Sequence, residues 1–436
     1  MKKYGLKALF TVILFLYLGY HYFTGLQSYP FHIDEYLFTK RSYYFDLFLK
    51  RDFSDWRWYG NDSSAQPKVG PYIFGITLHL AGIDNIEQEL TKRGFKDNLN
   101  LKVGERLTFP QLELIEINRI TAVLFSLGAF ILVFILTSKI KGLVFANIST
   151  LFLGTNSLMQ QSGRRAMTDS MQIFFFFLSL LLIFMLLGAY EKKKFSRVYL
   201  LSIAIGISIA LGVGVKVSGI LIILFTIVIF LYLGIFKYLS KKALIPLLTS
   251  SVIIASTFML LFYALHPYLY HDPFRKFIRI FSERLIESEA ANMLAFPKTA
   301  VYSRVTALRL IIENTLLPSG QYVNFRSQYL PIDLVLFSLG FSQMGHLTLK
   351  NLRQKKKISG ETLLIIWVLL VSISLILYLR NNWPRYYLPT VAAVTIVEAY
   401  AMSALLNGLI TKLALGKEEG NYTKNWKSRE RKSKKI

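Results

Sequence analysis

Gly219–Phe236 (GILIILFTIVIFLYLGIF) runs for 18 residues without a charged residue, an Asn or a Pro. A helix needs about 20 predominantly apolar residues to cross a bilayer, whereas a helix on a soluble core keeps one polar face. This stretch is apolar all round. Nine further runs repeat the pattern: Ala8–Leu26, Ile115–Leu136, Leu143–Met159, Met171–Ala189, Val198–Val215, Ala243–Leu265, Ile332–Leu349, Leu363–Leu379 and Tyr386–Leu406. An eleventh, Val69–Ala81, is shorter and ends in Gly82-Ile83-Asp84, which suits an interfacial helix better than a crossing one. The whole chain agrees: 53% of its 436 residues are hydrophobic and 18% charged, against about 45–50% and 25% in globular domains. With no Cys, a disulfide scaffold and a Cys-based metal or redox site are excluded. The expected fold is an all-α polytopic membrane protein of about ten transmembrane helices with extracytoplasmic surface helices.

Charge sets the orientation. The chain carries 51 Lys and Arg against 26 Asp and Glu, a net +25. Its cations fall in short clusters at Lys2-Lys3, Lys139–Lys141, Lys192–Arg197, Lys237–Lys242, Lys350–Lys357 and Lys424–Lys435. Cytoplasmic loops are enriched in Lys and Arg, and ten crossings put all six clusters on one side, with both termini cytoplasmic. No nucleic-acid role is needed to explain them. Residues 1–416 then form one transmembrane domain with long external segments at 27–111 and 266–331. Residues 417–436 form a basic cytoplasmic tail, read as a disordered arm near anionic head groups. The first helix reads as an uncleaved anchor, since no small-x-small cleavage site follows it. Ser42–Leu49, Val69–Ala81 and Phe274–Ser288 read as surface helices. The protein is expected in the plasma membrane, with its site on the extracytoplasmic face.

That orientation exposes an anomaly. Short external loops should be poor in Lys and Arg, yet they hold Arg164, Arg165, Lys216, Arg380 and Arg385. Cations at helix ends on the disfavoured side either snorkel toward lipid phosphates or share an anionic ligand. Opposite them stands Asp34-Glu35, a few residues beyond the first helix. Two carboxylates there could project into one cavity, one accepting a proton from an incoming nucleophile and the other orienting it. Asp169 either adds a third carboxylate or caps the helix that follows.

Five segments, in order, resemble the GT-C superfamily of polyprenyl-phosphate-sugar transferases, above all the protein O-mannosyltransferases and the bacterial aminoarabinose transferases of lipid A. They are Ile33-Asp34-Glu35-Tyr36 with Ser42-Tyr-Tyr-Phe45; Gln66-Pro67-Lys68-Val69-Gly70-Pro71; Ser162-Gly-Arg164-Arg-Ala166-Met-Thr168-Asp169; Lys216-Val-Ser-Gly219 with His266-Pro-Tyr-Leu-Tyr-His-Asp272-Pro273; and Pro384-Arg385-Tyr386-Tyr-Leu388-Pro389. The resemblance covers roughly residues 8–406. Gln66 departs from the usual His or Lys, and no counterpart of either relative's soluble domain is expected in these residues, so neither relative's acceptor carries over.

The resemblance implies a membrane glycosyltransferase that moves a sugar from a polyprenyl-phosphate donor to an extracytoplasmic acceptor (protein, lipid or glycan). It implies Asp34 as general base and Glu35 as its supporting carboxylate. Lys216, Arg385, Arg164 and Lys68 would bind the donor phosphate, with Asp169 and His266 in support. A phosphate leaves without protonation, so one carboxylate and a cationic nest suffice, unlike glycoside hydrolysis, which needs two flanking carboxylates. Direct displacement implies inversion at the anomeric carbon. No metal site is expected and no cofactor is required, although a divalent cation could replace some of the Arg and Lys charge. Two other classes fit the composition: a transporter or flippase of an anionic or lipid-linked substrate, and a non-catalytic lipid-binding partner of an envelope enzyme. Nothing in the sequence specifies the sugar or the acceptor.

Overall fold

The computed structural model describes residues 2–60, 66–95, 109–236, 241–283, 288–354 and 358–433. All ten apolar runs are helical: α1 (Lys2–Phe23), α6 (Phe109–Lys141), α7 (Leu143–Thr155), α9 (Asp169–Glu191), α10 (Phe195–Val215), α11 (Ile220–Phe236), α12 (Lys241–Leu265), α16 (Ile332–Arg353), α17 (Gly360–Tyr378) and α18 (Pro384–Ser433). Between them lie the short helices α2 (Ile33–Lys40), α3 (Tyr44–Leu49), α4 (Val69–Leu80), α5 (Ile86–Lys92), α8 (Ser157–Gly163), α13 (Pro273–Ser282), α14 (Ser288–Ala295) and α15 (Arg304–Leu316). Among the described residues the only β pairing is an isolated bridge between Ala300 and Asn381. Among the described residues, eight helices are long and apolar enough to cross a membrane, and the apolar stretches Ala8–Phe23 and Leu143–Thr155 are shorter. The chain is an integral membrane protein. Its core forms where α9 packs on α6 and α10, α10 on α12, and α18 on α7, α16 and α17.

Three expectations change. Leu143–Met159 is not one helix but two, because Asn156 adopts an extended backbone (φ −62°, ψ 131°) and its side chain accepts from the Leu158 N–H. A buried Asn can leave the helical ladder where partners await it, and here it donates to the Tyr322 carbonyl at 2.8 Å and the Asn324 Oδ1 at 3.1 Å. Those partners belong to the irregular segment 317–331, which lies against the bundle. Asn324 also donates to Glu398 Oε2 of α18 at 2.6 Å, while Asp333 accepts the Asn324 N–H at 2.6 Å. Buried polar groups are generally hydrogen-bonded, and Asn156, Asn324, Asp333 and Glu398 bond here to one another and to neighbouring backbone. Second, the helix expected over Phe274–Ser288 ends at Ser282, and residues 284–287 lie outside the described residues, as do 237–240 and 355–357 of two basic clusters. Third, the tail expected as a disordered arm continues α18 to Ser433; no Pro follows Pro389, and its Lys, Glu and Arg residues favour helix.

Helix α4 confirms the shorter reading of Val69–Ala81. Its 12 residues fall well short of the roughly 20 that a hydrocarbon core of about 30 Å demands. It packs on α3 and α6 instead. A β-carbon at Gly75 would come within 2.8 Å of the Ser42 carbonyl, and one at Gly70 would collide with Thr168. Both glycines therefore let α4 lie directly on the loops that build the site. Asp46 locks the far end, accepting the Ile86 N–H at 2.8 Å and meeting His79 Nε2 at 2.7 Å.

Candidate active site

The acidic pair sits at the start of α2. His32 is the N-cap, and its Nδ1 accepts the Asp34 N–H at 3.2 Å. Glu35 Oε2 accepts the His32 N–H at 2.9 Å, closing a capping box. Successive helical residues point about 100° apart, so the two carboxylates separate. Glu35 turns inward and is fully buried. It accepts from Arg119 Nε at 2.7 Å, Arg119 Nη2 at 3.0 Å and the Ala166 N–H at 2.9 Å. Arg119 in turn donates to the Leu26 carbonyl at 2.7 Å. This hub ties α2, α6 and the 164–168 loop to the end of α1. Glu35 therefore does not share a cavity with Asp34, as the sequence suggested; it fixes the helix from which Asp34 projects.

Asp34 faces a cavity of about 560 Å³ whose walls come from α2, the 162–169 loop, the α10–α11 junction, α14 and the start of α18. Arg385 Nη1 pairs with Asp34 Oδ2, and the guanidinium lies 4.8 Å from the Trp383 ring centroid. Lys216 leaves the end of α10 in an extended conformation and meets Asp169 Oδ1 at 2.6 Å. Thr168, not Asp169, occupies the N-cap position of α9; of the two readings left open, Asp169 is the cavity carboxylate. Arg41, held by Gln66 Oε1 at 2.7 Å, and Arg165 complete the charged lining. Burial pushes the His32 imidazole down from its ordinary value, so this cavity residue stays neutral near pH 7.

Four sequence candidates lie elsewhere. Glu35 has been described. Arg164 donates to the Thr24 carbonyl and covers the Tyr29 ring at 4.6 Å, away from the cavity lining. Lys68 is buried behind the wall, its Nζ 4.2 Å from the Tyr44 ring centroid. His266 is buried beside it, stacked on Phe262 at 4.0 Å with Nδ1 2.7 Å from the Phe262 carbonyl. Burial lowers its pKa to about 4, so it supports the Lys68 backbone as a neutral ring, 3.4 Å from that N–H. Asp34, Asp169, Lys216 and Arg385 do come together. Among the described residues, no group of three or more His, Cys, Asp or Glu side chains could hold a metal.

An apolar groove of about 330 Å³ adjoins this cavity, bounded by Ile220, Leu221 and Leu224 of α11, Val371, Leu375 and Tyr378 of α17, and Tyr386 and Pro389 of α18. Lys216, Val217 and Arg385 line both spaces. The two cations thus stand where the polar cavity meets the groove. Sequence inspection gave no sign of it, because its walls come from segments far apart in the chain and each reads as an ordinary apolar helix.

Residues 113–272 match the family of dolichyl-phosphate-mannose-protein mannosyltransferases. No curated protein matches the chain by sequence. Among solved structures, ArnT from Cupriavidus metallidurans bound to undecaprenyl phosphate is similar with a TM-score of 0.51 and 13% identity, over 91% of this chain and 60% of ArnT. The Archaeoglobus fulgidus oligosaccharyltransferase in its apo form gives 0.47 and 15%, over 81% of this chain and 44% of its own. AglB from the same organism, in complex with an inhibitory peptide and a dolichol-phosphate, gives 0.45 and 14% over the same shares. The chain spans less than half the length of those oligosaccharyltransferases and 60% of ArnT. It shares the ArnT fold, and the family match covers the loop at Arg164–Asp169 and Lys216. Of the five segments that carried the resemblance, the third and all but the last residue of the fourth lie within the family match.

Proposed function

We propose that the protein is a membrane glycosyltransferase that moves a sugar from a polyprenyl-phosphate donor to an acceptor hydroxyl with inversion, working at the extracytoplasmic face of the plasma membrane. One observation carries this reading: Lys216 and Arg385 stand between an apolar groove suited to a prenyl chain and a polar cavity that contains Asp34. The donor phosphate would sit at that junction, its lipid in the groove and its sugar beside Asp34. The acceptor oxygen attacks the anomeric carbon and gives its proton to the Asp34 carboxylate. The bond from that carbon to the phosphate oxygen breaks, and its electron pair leaves with the phosphate. The leaving group gains a negative charge as the bond breaks. Arg suits bidentate contact with it and Lys a point charge. Arg385 and Lys216 are held in the resting state by Asp34 and Asp169, so an arriving phosphate competes for both cations and frees the base. The cations supply the charge that a divalent ion would otherwise bring, so EDTA should leave the rate unchanged.

The test is direct. Purified protein in nanodiscs should consume one member of a panel of radiolabelled polyprenyl-phosphate sugars and release polyprenyl phosphate. If none is consumed with cell-envelope acceptors present, while a labelled lipid-linked sugar moves across proteoliposomes, the transport reading replaces this one. Lys216→Ala and Arg385→Ala should lower kcat by about 10²-fold, because their contribution grows as charge develops in the transition state. Arg380→Ala should change it less than twofold, since Arg380 lies outside the cavity lining. Equal, small effects of all three would favour snorkelling over anion binding. For orientation, the absence of native Cys helps. A membrane-impermeant thiol reagent should label Ser319→Cys in intact cells and Lys193→Cys only after permeabilisation. The reverse pattern would put the site in the cytoplasm.

A further inference from the structure

Four cations and two carboxylates line the polar cavity: Arg41, Arg165, Lys216 and Arg385 against Asp34 and Asp169. Each carboxylate already has a cation, Asp34 with Arg385 and Asp169 with Lys216. Those two cations also line the apolar groove, whereas Arg165 lines only the polar cavity. Among the described residues, Arg165 has no carboxylate partner, its Nε is buried without a hydrogen-bond acceptor, and the Tyr29 ring lies 5.8 Å from its guanidinium carbon. Its neighbour Arg164 also has a buried, unpaired Nε, but its Nη2 donates to the Thr24 carbonyl, its guanidinium covers the Tyr29 face, and it lies outside the cavity lining. A guanidinium kept partly out of water without an anion is costly. A ligand group that completes it would recover that cost on binding.

Resting on the transferase reading, we infer that Arg165 binds a second anionic group, a phosphate or carboxylate carried by the acceptor or by the transferred sugar. The donor phosphate does not fill this role, since its place at the groove mouth is served by Lys216 and Arg385. The second group meets the cavity on the side where sugar and acceptor come together. The activity would then be selective for an anionic partner, and neutral analogues of the same shape would be poor substrates.

The experiment uses the full chain in nanodiscs loaded with undecaprenyl phosphate. Into this are titrated sn-glycerol 3-phosphate, as an acceptor-type phosphate, and D-glucuronate, as a sugar-type carboxylate, with glycerol and glucose as neutral controls. At least one anion should bind the loaded protein and neither neutral control should. Arg165→Gln should weaken that anion by about 10-fold or more, as expected for a charge-assisted bidentate contact. Arg165→Lys should retain part of the affinity, and undecaprenyl phosphate should bind both variants within about twofold of wild type. Preference for glycerol phosphate assigns the anion to the acceptor, and preference for glucuronate assigns it to the sugar. The inference is overturned if neither anion binds the loaded protein or if Arg165→Gln binds them unchanged. It is also overturned if the variant loses undecaprenyl phosphate to the same extent, which would make Arg165 part of the donor site. Failure of wild type to bind undecaprenyl phosphate at all would instead sink the transferase reading, and this inference with it.

Discussion

Asp34→Asn is expected to bind the donor as wild type does while transfer falls by about 10²–10⁴-fold, the range typical of losing a general base. Asn preserves size and one hydrogen-bond acceptor but cannot take the acceptor proton. It also weakens the hold on Arg385, so donor affinity should stay level or rise. Undecaprenyl phosphate binding and single-turnover transfer, measured on one preparation, separate the two effects. Unchanged turnover would end the role of Asp34 as base. A loss of donor binding with normal turnover at saturation would show that Asp34 only positions Arg385.

Glu35→Gln has the largest expected effect on the fold rather than on the chemistry. The fully buried carboxylate accepts from Arg119 twice, from Ala166 and from His32. Removing its charge strands a buried guanidinium, and breaking such a pair from one side costs about 3–5 kcal/mol. The double variant Glu35→Gln with Arg119→Met should recover much of that loss, because no ion is then left without its partner. Thermal unfolding in detergent, followed by loss of monodispersity, gives the comparison. If Glu35→Gln melts with wild type but is inactive, Glu35 belongs to the chemistry after all.

The helices were legible because each is a long run with almost no charge, and the lipid environment leaves backbone so few alternatives. The cluster of Asp34, Asp169, Lys216 and Arg385 was legible too, since cations at loops read as external needed an explanation and the motif order supplied one. What escaped was direction. Asp34 and Glu35 are neighbours in sequence, yet helical geometry sends one to the cavity and the other to Arg119. The same applies to Arg164 and Arg165, where only the fold decides which guanidinium meets Thr24 and which meets the cavity. The break at Asn156 left a trace in Thr155-Asn156-Ser157 and Gln160-Gln161, polar residues at the end of a run read as one helix. Its cause, however, lies far along the chain at Tyr322 and Asn324, and no local reading could reach it.

The knot of Asn156, Asn324 and Glu398 also constrains how the chain is made. Asn156 is made early in synthesis, but its partners on 322–324 come only after α15, and Glu398 arrives with the last helix. Until then Asn156 must find water or another polar group, because a buried amide without a partner is costly. The bundle therefore cannot lock helix by helix as it leaves the ribosome; α7 and α8 stay provisional until α18 is inserted. A nascent chain halted before Glu398 would present an unfinished polar seam, the kind of surface that membrane quality control can engage. Completion of the last helix is the event that closes the molecule.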